Sequence, residues 1–461
     1  DDMLTATQKA KDLVRMSVAK VALHEPLEEP VMQINQAVLV IGGGVAGMIA
    51  ARTLSQQGYT TYLVEKDRQL GGRALYLNQT WQGENIGRFV EDLIDRVQGD
   101  PNIKVYLNAE VHGVEGFIGN FKTSVQTENE TAVLEHGITI IACGAAEYKP
   151  DNYLYGQDER VLTGLELQLK LKSAPIFETC QTAVFVQCVG SRIEERPYCS
   201  KVCCTRSIKS ALELKALNPD MDIFILYRDM RAYGLRENLY REARETGIKF
   251  IRYNTEGGIA VSGAENGLSV EFTDRVLRRP MVINSDMLVL ASAMVPEQNN
   301  PLAALYKVSQ KADGFFAEAH VKLRPNDFAT DGVFICGLAH APKPLDESIA
   351  QAQAAASRAV TVLSALQIAV SGTVARVDPA CCSQCGVCVS VCPYSAPTFN
   401  EKSARAEIRS TLCKGCGLCV ASCRSGAIHL KGFETAQIMA MITAGMFEET
   451  SGMSNDKLND E

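Results

Sequence analysis

The sequence predicts an α/β protein that contains two doubly wound domains and, near its C-terminal end, a small cysteine-rich α+β domain. Short apolar strands alternate with helical segments over 36–150, and the same alternation returns over 182–290. Beyond residue 371 the pattern changes, and cysteines gather in two short groups up to residue 423. The 461 residues are 46% hydrophobic with a net charge of −8, which allows a large core and argues against a nucleic-acid partner.

The turn after the first apolar strand carries three glycines, Gly42, Gly44 and Gly47, in the pattern GxGxxG. The first glycine of this pattern allows a tight turn, the second admits a pyrophosphate, and the third lets the helix pack closely on the strand. Glu65 ends the next strand, where a carboxylate can accept hydrogen bonds from ribose hydroxyls. Lys66 follows it and is assigned to the same cofactor site. The strand, the glycine turn and the acidic partner together predict a dinucleotide site.

Three further motifs favour FAD over NAD at this site. "LGGR" at 70–73 resembles the second glycine pair of glutathione-reductase-type flavoproteins, and "IIACG" at 140–144 resembles their ATG strand. "TDGVFICG" at 330–337 resembles their second flavin motif, although Leu338 replaces the Asp that usually follows. The fold is therefore expected to contain a glutathione/thioredoxin-reductase-like pair of Rossmann-type domains. The motifs add these residues to the predicted flavin site: Gly72, Arg73, Gly144 and Gly337.

Two groups of four cysteines follow the spacing CxxCxxCxxxC. In two-cluster ferredoxins, three close cysteines bind one 4Fe–4S cluster and the fourth crosses over to the other cluster. Zinc sites rarely use eight thiolates at this spacing, so the pattern predicts a dicluster ferredoxin domain. The first cluster is assigned to Cys382, Cys385, Cys388 and Cys423. The second is assigned to Cys413, Cys416, Cys419 and Cys392.

The second doubly wound domain has the layout of a nicotinamide-binding domain, but its first turn contains no GxGxxG. Phosphates there would meet Glu194 and Glu195, which disfavours nucleotide binding. The turn instead holds four cysteines that could bind a further 4Fe–4S cluster. From the residues alone, buried core cysteines, a redox-active disulfide and a zinc site remain alternatives. The four cysteines are Cys188, Cys199, Cys203 and Cys204.

Several stretches together resemble the A subunit of heterodisulfide reductase over nearly the whole chain. They are "FVQCVGSR…PYCSKVCC", "ILYRDMRAYG", "CGLAHAPK" and the C-terminal ferredoxin pattern. The resemblance implies that the four cysteines of the second domain bind a non-standard 4Fe–4S cluster near the FAD. The expected cofactors are therefore one FAD and three 4Fe–4S clusters.

The resemblance also implies an oxidoreductase subunit that takes part in flavin-based electron bifurcation between a donor module, ferredoxin and a disulfide-type or other acceptor. The implied partners are proteins like the B and C subunits of heterodisulfide reductase, ferredoxin, and the iron–sulfur linker subunit of a hydrogenase or formate dehydrogenase module. A homodimer within a larger complex is expected. Alternatives are a non-bifurcating relay to a quinone-linked or CoA-ester reductase complex, an NAD(P)H-oxidising flavoprotein like the small subunit of glutamate synthase, and an assembly scaffold whose clusters are structural.

The chain departs from the long form of this family, which has an extra cluster-bearing N-terminal domain and a ferredoxin module inserted after the first flavin segment. Here "GGRALYLNQTWQGENIGRFVEDL" runs on without a cysteine, so we expect a short form. The N-terminal residues lack an apolar signal core, and no apolar run reaches the roughly 18 residues of a membrane helix. A cytoplasmic location is therefore expected.

The loop "CGLAHAPKPLDES" at 336–348 carries the candidate catalytic residues Lys343 and His340. The resemblance places the lysine near the reactive flavin nitrogen N5, where a cation would stabilise negative charge on the reduced flavin. His340 is expected either to approach the flavin ring or to be a hydrogen-bonded packing residue. An Ala-rich helix is predicted to follow at 347–368.

These patterns divide the chain into six predicted segments. They are a helical arm and linker at 1–35, the first part of the FAD-binding domain at 36–150, a nicotinamide-domain-like module with a 4Fe–4S cluster at 151–295, the returning part of the FAD-binding domain at 296–370, the two-cluster ferredoxin domain at 371–432, and a C-terminal docking helix and tail at 433–461.

Overall fold

Two units make up the chain in the computed structural model: residues 34–366 form one, and residues 1–33 with 367–461 form the other. The structure describes residues 3–446 except 28, 30, 129, 173–178, 265–266, 298–299, 370–371, 401 and 404. The last part of the predicted segment 433–461, from residue 447 onward, lies outside the described residues.

The helices are α1 (Met3–Val21), α2 (Val45–Ser55), α3 (Ile86–Gln98), α4 (Gly164–Leu171), α5 (Cys203–Leu217), α6 (Glu237–Glu245), α7 (Leu302–Leu305), α8 (Leu345–Leu363), α9 (Val387–Val391), α10 (Leu418–Ala421) and α11 (Thr435–Met446). Short 3-10 helices lie at Gly72–Tyr76, Gly234–Arg236 and Gly337–Ala339. The strands are β1 (Val31–Gln33), β2 (Val38–Ile41), β3 (Thr61–Val64), β4 (Ile103–Tyr106), β5 (Glu110–Phe117), β6 (Asn120–Gln126), β7 (Thr131–His136), β8 (Ile138–Ile141), β9 (Ala146–Glu147), β10 (Val161–Thr163), β11 (Thr182–Val189), β12 (Asp222–Tyr227), β13 (Lys249–Arg252), β14 (Ile259–Ala264), β15 (Gly267–Asp274), β16 (Arg279–Ser285), β17 (Met287–Ser292), β18 (Met294–Val295), β19 (Val333–Ile335), β20 (Gln367–Ala369), β21 (Ala375–Val377), β22 (Pro397–Asn400), β23 (Arg405–Ile408) and β24 (Ile428–Leu430).

The first parallel sheet has the strand order β19-β8-β2-β3-β4. Every residue of β2 and β8 is buried, as expected for parallel strands that are covered on both faces. α2 and α8 pack on one face, and the antiparallel sheet β5-β6-β7 contributes to the core on the other. Ile41, Ile141 and Ile335 end their strands in register, so the loops after β2, β8 and β19 leave the sheet at one carboxyl edge. This edge positions the predicted flavin motifs.

The second parallel sheet has the strand order β10-β17-β11-β12-β13. α4, α5 and α6 contribute the core on one face, and the antiparallel sheet β14-β15-β16 contributes it on the other. The pairing of β11 with β17 shifts register between Val186 and Val189, which marks a bulge at the carboxyl end of β11. Ligands of open α/β sheets bind outside this end of the strands.

Between the two parallel sheets, β9 and β18 pair as a two-stranded antiparallel ribbon. β9 follows the first domain and β18 precedes the return to it, so the chain passes from one domain to the other in these two strands. The two domains belong to the same unit, residues 34–366.

In the other unit, β21 pairs with β24 and β22 with β23, both antiparallel, and α9 and α10 are short. α1 packs against α11, where Arg15 Nε donates to the carbonyl oxygen of Ala444 at 2.8 Å. Gln437 Nε2 donates to the carbonyl oxygen of Leu23 at 3.0 Å. No residue of α1 is buried. The role of α11 as a docking helix stays a prediction.

One predicted boundary was wrong. The helix expected at 347–368 begins at Leu345 and ends at Leu363, and Gln367–Ala369 forms β20. Ile368 lies opposite Met32 in the antiparallel pair with β1, and this pairing competes with continuation of the helix. Among the described residues, no helix is long and apolar enough to cross a membrane.

Candidate flavin and iron–sulfur centres

The glycine turn after β2 has the backbone that its sequence requires. Gly42 has a φ of +111°, and a Cβ added there would lie 2.6 Å from the Ala142 carbonyl carbon. A Cβ added at Gly47 would overlap the carbonyl oxygen of Gly42, so only glycine lets α2 pack on this turn. Gly44 caps α2, no side chain occupies the cap, and a Cβ there would meet nothing within 4 Å. The start of α2 is thus open to an anion.

Glu65 lies beside the turn and is 7% exposed. Its carboxylate accepts hydrogen bonds from the backbone N–H of Gly43 at 2.5 Å and of Asp67 at 2.9 Å. Burial raises the pKa of this carboxyl group. Lys66, by contrast, forms an ion pair with Glu297 and is half-exposed.

Residues from two other flavin motifs lie close to the glycine turn after β2. Gly71 pairs with Gly44 in a parallel bridge, and a Cβ added at Gly72, whose φ is +54°, would lie 3.1 Å from the Gly44 Cα. Arg73 Nε donates to the carbonyl oxygen of Ala145 at 3.2 Å. Gly144 has a φ of +79° with open space where a Cβ would lie. The open positions at Gly44 and Gly144 fit a bound dinucleotide, because a side chain at either would fill the cradle.

The loop after β19 returns the chain to the start of α2. Gly337 has a φ of +70°, and a Cβ added there would lie 2.8 Å from the Ala46 Cβ. Lys343 is 9% exposed, and its Nζ donates to the carbonyl oxygens of Gly337 at 2.6 Å and Ala341 at 3.1 Å. Burial lowers the pKa of Lys343 to about 8. A poorly solvated cation therefore lies directly beside the glycine that touches α2.

His340 lies in the same loop, with both ring nitrogens engaged by protein groups. Its Nε2 is 2.9 Å from Glu318 Oε2, and its Nδ1 is 2.9 Å from Gln351 Nε2. Burial and the neighbouring charge of Lys343 lower the pKa of His340. Gln351 also accepts a hydrogen bond from the Gly337 N–H at 3.0 Å. We call residues 336–348 the flavin loop. His340 is thus a hydrogen-bonded residue that supports this loop through its contact with Gln351.

Two cavities in the cysteine-rich unit match the two crossed ligand sets. One cavity is lined by Cys382, Cys385, Cys388 and Cys423. A second cavity is lined by Cys392, Cys413, Cys416 and Cys419. The two halves repeat the same local geometry, because Gly386 and Gly417 precede α9 and α10 with φ of +75° and +76°. In both halves, the fourth cysteine lines the cavity of the other half. This is the arrangement of a dicluster ferredoxin, in which the fourth cysteine of each half binds the cluster of the other half.

Cys188 lies at the bulged end of β11, Cys199 lies in the loop that follows, and Cys203 and Cys204 lie in the first turn of α5. The Cys203 thiol donates a hydrogen bond to Cys204 and thereby lowers the pKa of Cys204. Cys188 and Cys199 are close enough for their charges to raise the pKa of Cys204. We call residues 188–204 the cluster loop. Three of its non-glycine residues, Cys188, Arg192 and Lys201, have φ between +58° and +63°, which is costly unless surrounding contacts impose it.

Nitrogen donors lie close to three of the four thiols of the cluster loop, those of Cys188, Cys199 and Cys204. The backbone N–H of Lys201 donates to Cys199 Sγ at 3.4 Å, and the backbone N–H of Arg231 donates to Cys204. Arg192 Nη1 lies 4.0 Å from Cys188 Sγ. Such donors stabilise thiolates, which is the form that binds iron.

A buried amide directly precedes the first cysteine of the cluster loop in the sequence. Gln187, directly before Cys188, is 1% exposed, and neither polar atom of its amide has a partner among the described residues. A buried amide without partners is costly and indicates a missing polar group. The sulfur atoms of an iron–sulfur cluster accept hydrogen bonds, so the residues present fit this group.

The alternatives for the cluster loop differ in the geometry they need. All four of its cysteines are free thiols. Within the described part of the chain, no three His, Cys, Asp or Glu side chains converge on a single metal position. Zinc requires such convergence, whereas in a cubane each thiolate binds a different iron atom.

The sequence did not single out several residues that the structure places at these centres. Gln187 and Arg192 lie within the quoted cysteine stretch but match no binding motif. The contact of Arg231 with Cys204 joins two segments that are distant in sequence. Arg231 itself is a candidate from the sequence, because Arg228, Arg231 and Tyr233 in "YRDMRAYG" are expected to line the cluster or a subunit interface.

Two family models match the chain. The pyridine nucleotide-disulphide oxidoreductase model matches residues 36–176, and the 4Fe-4S dicluster domain model matches residues 381–427. Thioredoxin reductase of Lactococcus lactis has a TM-score of 0.51 at 17% identity, covering 71% of this chain and 99% of that one. The enzyme of T. acidophilum has a TM-score of 0.50 at 14% identity, covering 71% and 96%. The fold is thus thioredoxin-reductase-like, and the protein is a flavin-dependent oxidoreductase with a 4Fe–4S domain.

Curated relatives identify the family within this class. The A subunit of the H(2):CoB-CoM heterodisulfide,ferredoxin reductase of Methanothermobacter thermautotrophicus is 34% identical, over 97% of this chain and 82% of its own length. The A subunit of the Ferredoxin:CoB-CoM heterodisulfide reductase of Methanosarcina acetivorans is 29% identical, over 97% and 71%. The chain belongs to the family of heterodisulfide reductase A subunits. Its alignment with the first relative spans 548 positions, more than its own 461 residues, so that relative carries internal residues that this chain lacks.

Proposed function

We propose that the chain is the FAD- and iron–sulfur-containing electron-transfer subunit of a heterodisulfide-reductase-like complex and takes part in flavin-based electron bifurcation. Its proposed cofactors are one FAD and three 4Fe–4S clusters. The observation that carries the proposal is the position of the four-cysteine loop. It lies at the carboxyl end of β11, where a nicotinamide dinucleotide would bind, in the same unit as the flavin turn.

When bound, FAD accepts an electron pair and releases electrons singly, and iron–sulfur clusters conduct single electrons. The chain's residues supply the binding and the electrostatics. The open start of α2 and the glycine turn would bind the pyrophosphate. The buried carboxylate of Glu65, fixed by two backbone amides, remains able to accept hydrogen bonds from a ribose.

Lys343 would act on the reactive part of the flavin. Its ammonium group is buried and fixed by two carbonyl oxygens, so it loses little entropy when it meets a negative charge. In this poorly solvated place the cation would stabilise negative charge on the reduced flavin more strongly than an exposed lysine could. His340, held by Glu318 and Gln351, would support the loop rather than transfer a proton.

The cysteines would hold three clusters. The cluster loop offers Cys188, Cys199, Cys203 and Cys204 for the cluster next to the flavin domain, and the two cavities of the other unit offer the two crossed sets. Oxidation of NAD(P)H is disfavoured, because Glu194 and Glu195 occupy the turn that would have to bind its phosphates.

The proposed partners follow from the relatives. Their names describe H2- or formate-dependent reductases of the CoB-CoM heterodisulfide and ferredoxin. We therefore propose these partners in the cytoplasm: proteins like the B and C subunits of heterodisulfide reductase, ferredoxin, and the iron–sulfur linker subunit of a hydrogenase or formate dehydrogenase module. A homodimer within this complex is part of the proposal.

The bifurcation part is tested by an anaerobic redox titration of the flavin in the cluster-loaded protein. Bifurcation requires that the second electron enters the flavin at a higher potential than the first. The account predicts this crossed order, with no one-electron flavin state accumulating. A normal order, with such a state accumulating, would contradict bifurcation and favour a simple relay to a quinone-linked or CoA-ester reductase complex.

A further inference from the structure

The first turn of α8 is tied to the second domain by two side chains. Arg236, which is 8% exposed, donates from Nη2 to both carboxylate oxygens of Asp346, at 2.9 and 2.7 Å. The Tyr233 hydroxyl donates to Glu347 at 2.5 Å. α8 begins two residues after Lys343, so these contacts lie at the flavin end of the helix.

The same stretch of the second domain also contacts the cluster loop. We call residues 228–236 the bridging segment. Near its start, Arg228 Nη1 donates to the carbonyl oxygen of Arg192 at 2.8 Å, and the backbone N–H of Arg231 donates to Cys204. At its end, Tyr233 and Arg236 bind α8. One short segment therefore touches both the cluster ligands and the helix that starts at the flavin loop.

Aromatic rings hold the Arg236 side chain in this position. Its guanidinium group lies 5.0 Å from the Tyr233 ring centre and 5.8 Å from the Trp81 ring centre. Tyr233 belongs to the bridging segment, and Trp81 belongs to the first domain. Cation–π contacts on both sides add to the ion pair and limit the rotamers that Arg236 can adopt.

The way in which the chain connects the two domains explains why these contacts matter. The chain crosses between them in β9 and β18, a ribbon in which Met294 pairs with Glu147 and Val295 with Ala146. Such a ribbon allows the second domain to rotate unless other contacts prevent it. In a protein that transfers single electrons between a flavin and a cluster, rotation would change the distance, on which the transfer rate depends steeply.

We propose that Arg236 and Tyr233 are positioning residues that fix the second domain against the start of α8 and so keep the cluster loop at a constant distance from the flavin. This inference rests on the proposed function, since it assumes that the cluster loop binds a cluster. Asp346 and Glu347 are not among the buried residues of α8, so the two contacts lie outside the core of the first domain.

The test compares Arg236→Gln with Arg160→Gln in the full chain loaded with FAD and iron. Arg160 is the matched control, because its guanidinium also binds a carboxylate in a bidentate pair, with Asp158 at 2.9 and 2.7 Å, within a single domain. The measurements are iron and FAD content, the potentials of both centres, and the rate of flavin-to-cluster electron transfer after flash reduction. Hydrogen exchange of β9, β18 and the start of α8 is measured on the same samples.

We expect Arg236→Gln to keep its iron, its FAD and both potentials, while electron transfer slows at least tenfold and the β9–β18 ribbon exchanges faster. Arg160→Gln should behave like the unchanged protein. Asp346→Asn should give the same result as Arg236→Gln, and the two changes together should add little to either. Tyr233→Phe is a milder change and should give a smaller effect in the same direction. It replaces the arginine variant in the test if that variant fails to fold.

An unchanged transfer rate and unchanged exchange in fully loaded Arg236→Gln and Tyr233→Phe would overturn the inference. If the unchanged protein and the Arg160→Gln control also lack a cluster at the cluster loop, the proposed function fails instead. Iron content separates these two results.

Discussion

The Lys343 side chain is buried and held in a fixed position. Burial lowers its pKa from the ordinary value of 10.5 to about 8. The side chain is charged below about pH 8 and loses its proton above it. Negative charge on reduced flavin would raise this pKa, so reduction just above pH 8 should take up one more proton. The two-electron flavin potential should then fall about 30 mV more per pH unit above pH 8 than below it.

Lys343→Met should abolish this additional slope, because methionine has a similar length and no charge. Potentiometric titration of the flavin between pH 6.5 and 9.5 measures it. Lys249→Met is the control, since Lys249 pairs with Asp222 on the surface of the second domain. Persistence of the slope in Lys343→Met would show that another group is responsible.

His136 makes the stability of the first domain sensitive to acid. It is fully buried between Thr123 Oγ1 at 2.8 Å and the Ile138 carbonyl oxygen at 2.9 Å, and burial lowers its pKa to about 4. In the unfolded chain, His136 binds a proton below about pH 6.5. In the folded chain, it binds this proton only below about pH 4. Stability contributed by neutral His136 is therefore lost as the pH falls, up to about 3 kcal/mol at pH 4.

His136→Gln should remove this acid sensitivity while costing some stability at neutral pH. The measurement is the unfolding free energy from denaturant titrations between pH 7.5 and 5. The difference between the two proteins should shrink by about 1.4 kcal/mol per pH unit below 6. A constant difference over this range would show that His136 does not bind its proton differently in the folded state.

Gly44 and Gly47 should respond differently to alanine, although they belong to one motif. At Gly44 a Cβ meets nothing in the protein, and φ is −70°, so Gly44→Ala should fold and bind FAD at least tenfold more weakly. At Gly47 a Cβ would overlap the Gly42 carbonyl, so Gly47→Ala should destabilise the domain by about 2 kcal/mol or more. FAD titration and thermal unfolding separate the two effects, and equal stability losses would contradict this division.

At the scale of elements, the sequence predicted those parts that rest on local rules. The glycine turn, the crossed cysteine sets and the alternating strands all follow from short patterns with fixed spacing. The end of α8 could not be predicted, because Leu363 gives way to β20 only through pairing with β1, some 330 residues earlier. The sequence made Arg231 a candidate to line the cluster, but its contact with Cys204 could not be predicted for the same reason, since Arg231 belongs to another strand–loop unit.

The cluster loop can be tested as an element by removing one of its thiols. Cys199→Ser should lower the iron content by about four atoms per chain and leave the FAD and the two ferredoxin-type clusters in place. Cys381→Ser is the matched control, because Cys381 is exposed and lines neither cavity. Iron and sulfide analysis with low-temperature electron paramagnetic resonance measures both. Equal iron content in the two variants would contradict a cluster at this loop.

At the scale of the whole molecule, the two domains of the thioredoxin-reductase-like unit differ in the turn that follows their first buried strand. The open α2 terminus and the glycine cradle remain suited to FAD. The equivalent turn after β11 instead presents cysteines, glutamates and strained non-glycine residues. The dicluster unit adds two more candidate electron carriers in the same chain.

The most direct test of this account is to add NADH to the anaerobically purified, FAD-loaded chain after counting its iron. The account predicts about twelve iron atoms and one FAD per chain, no bleaching of the flavin by NADH, and full bleaching by a low-potential chemical reductant. About eight iron atoms together with rapid reduction of the flavin by NADH would contradict it, because the second domain would then still bind a nicotinamide nucleotide.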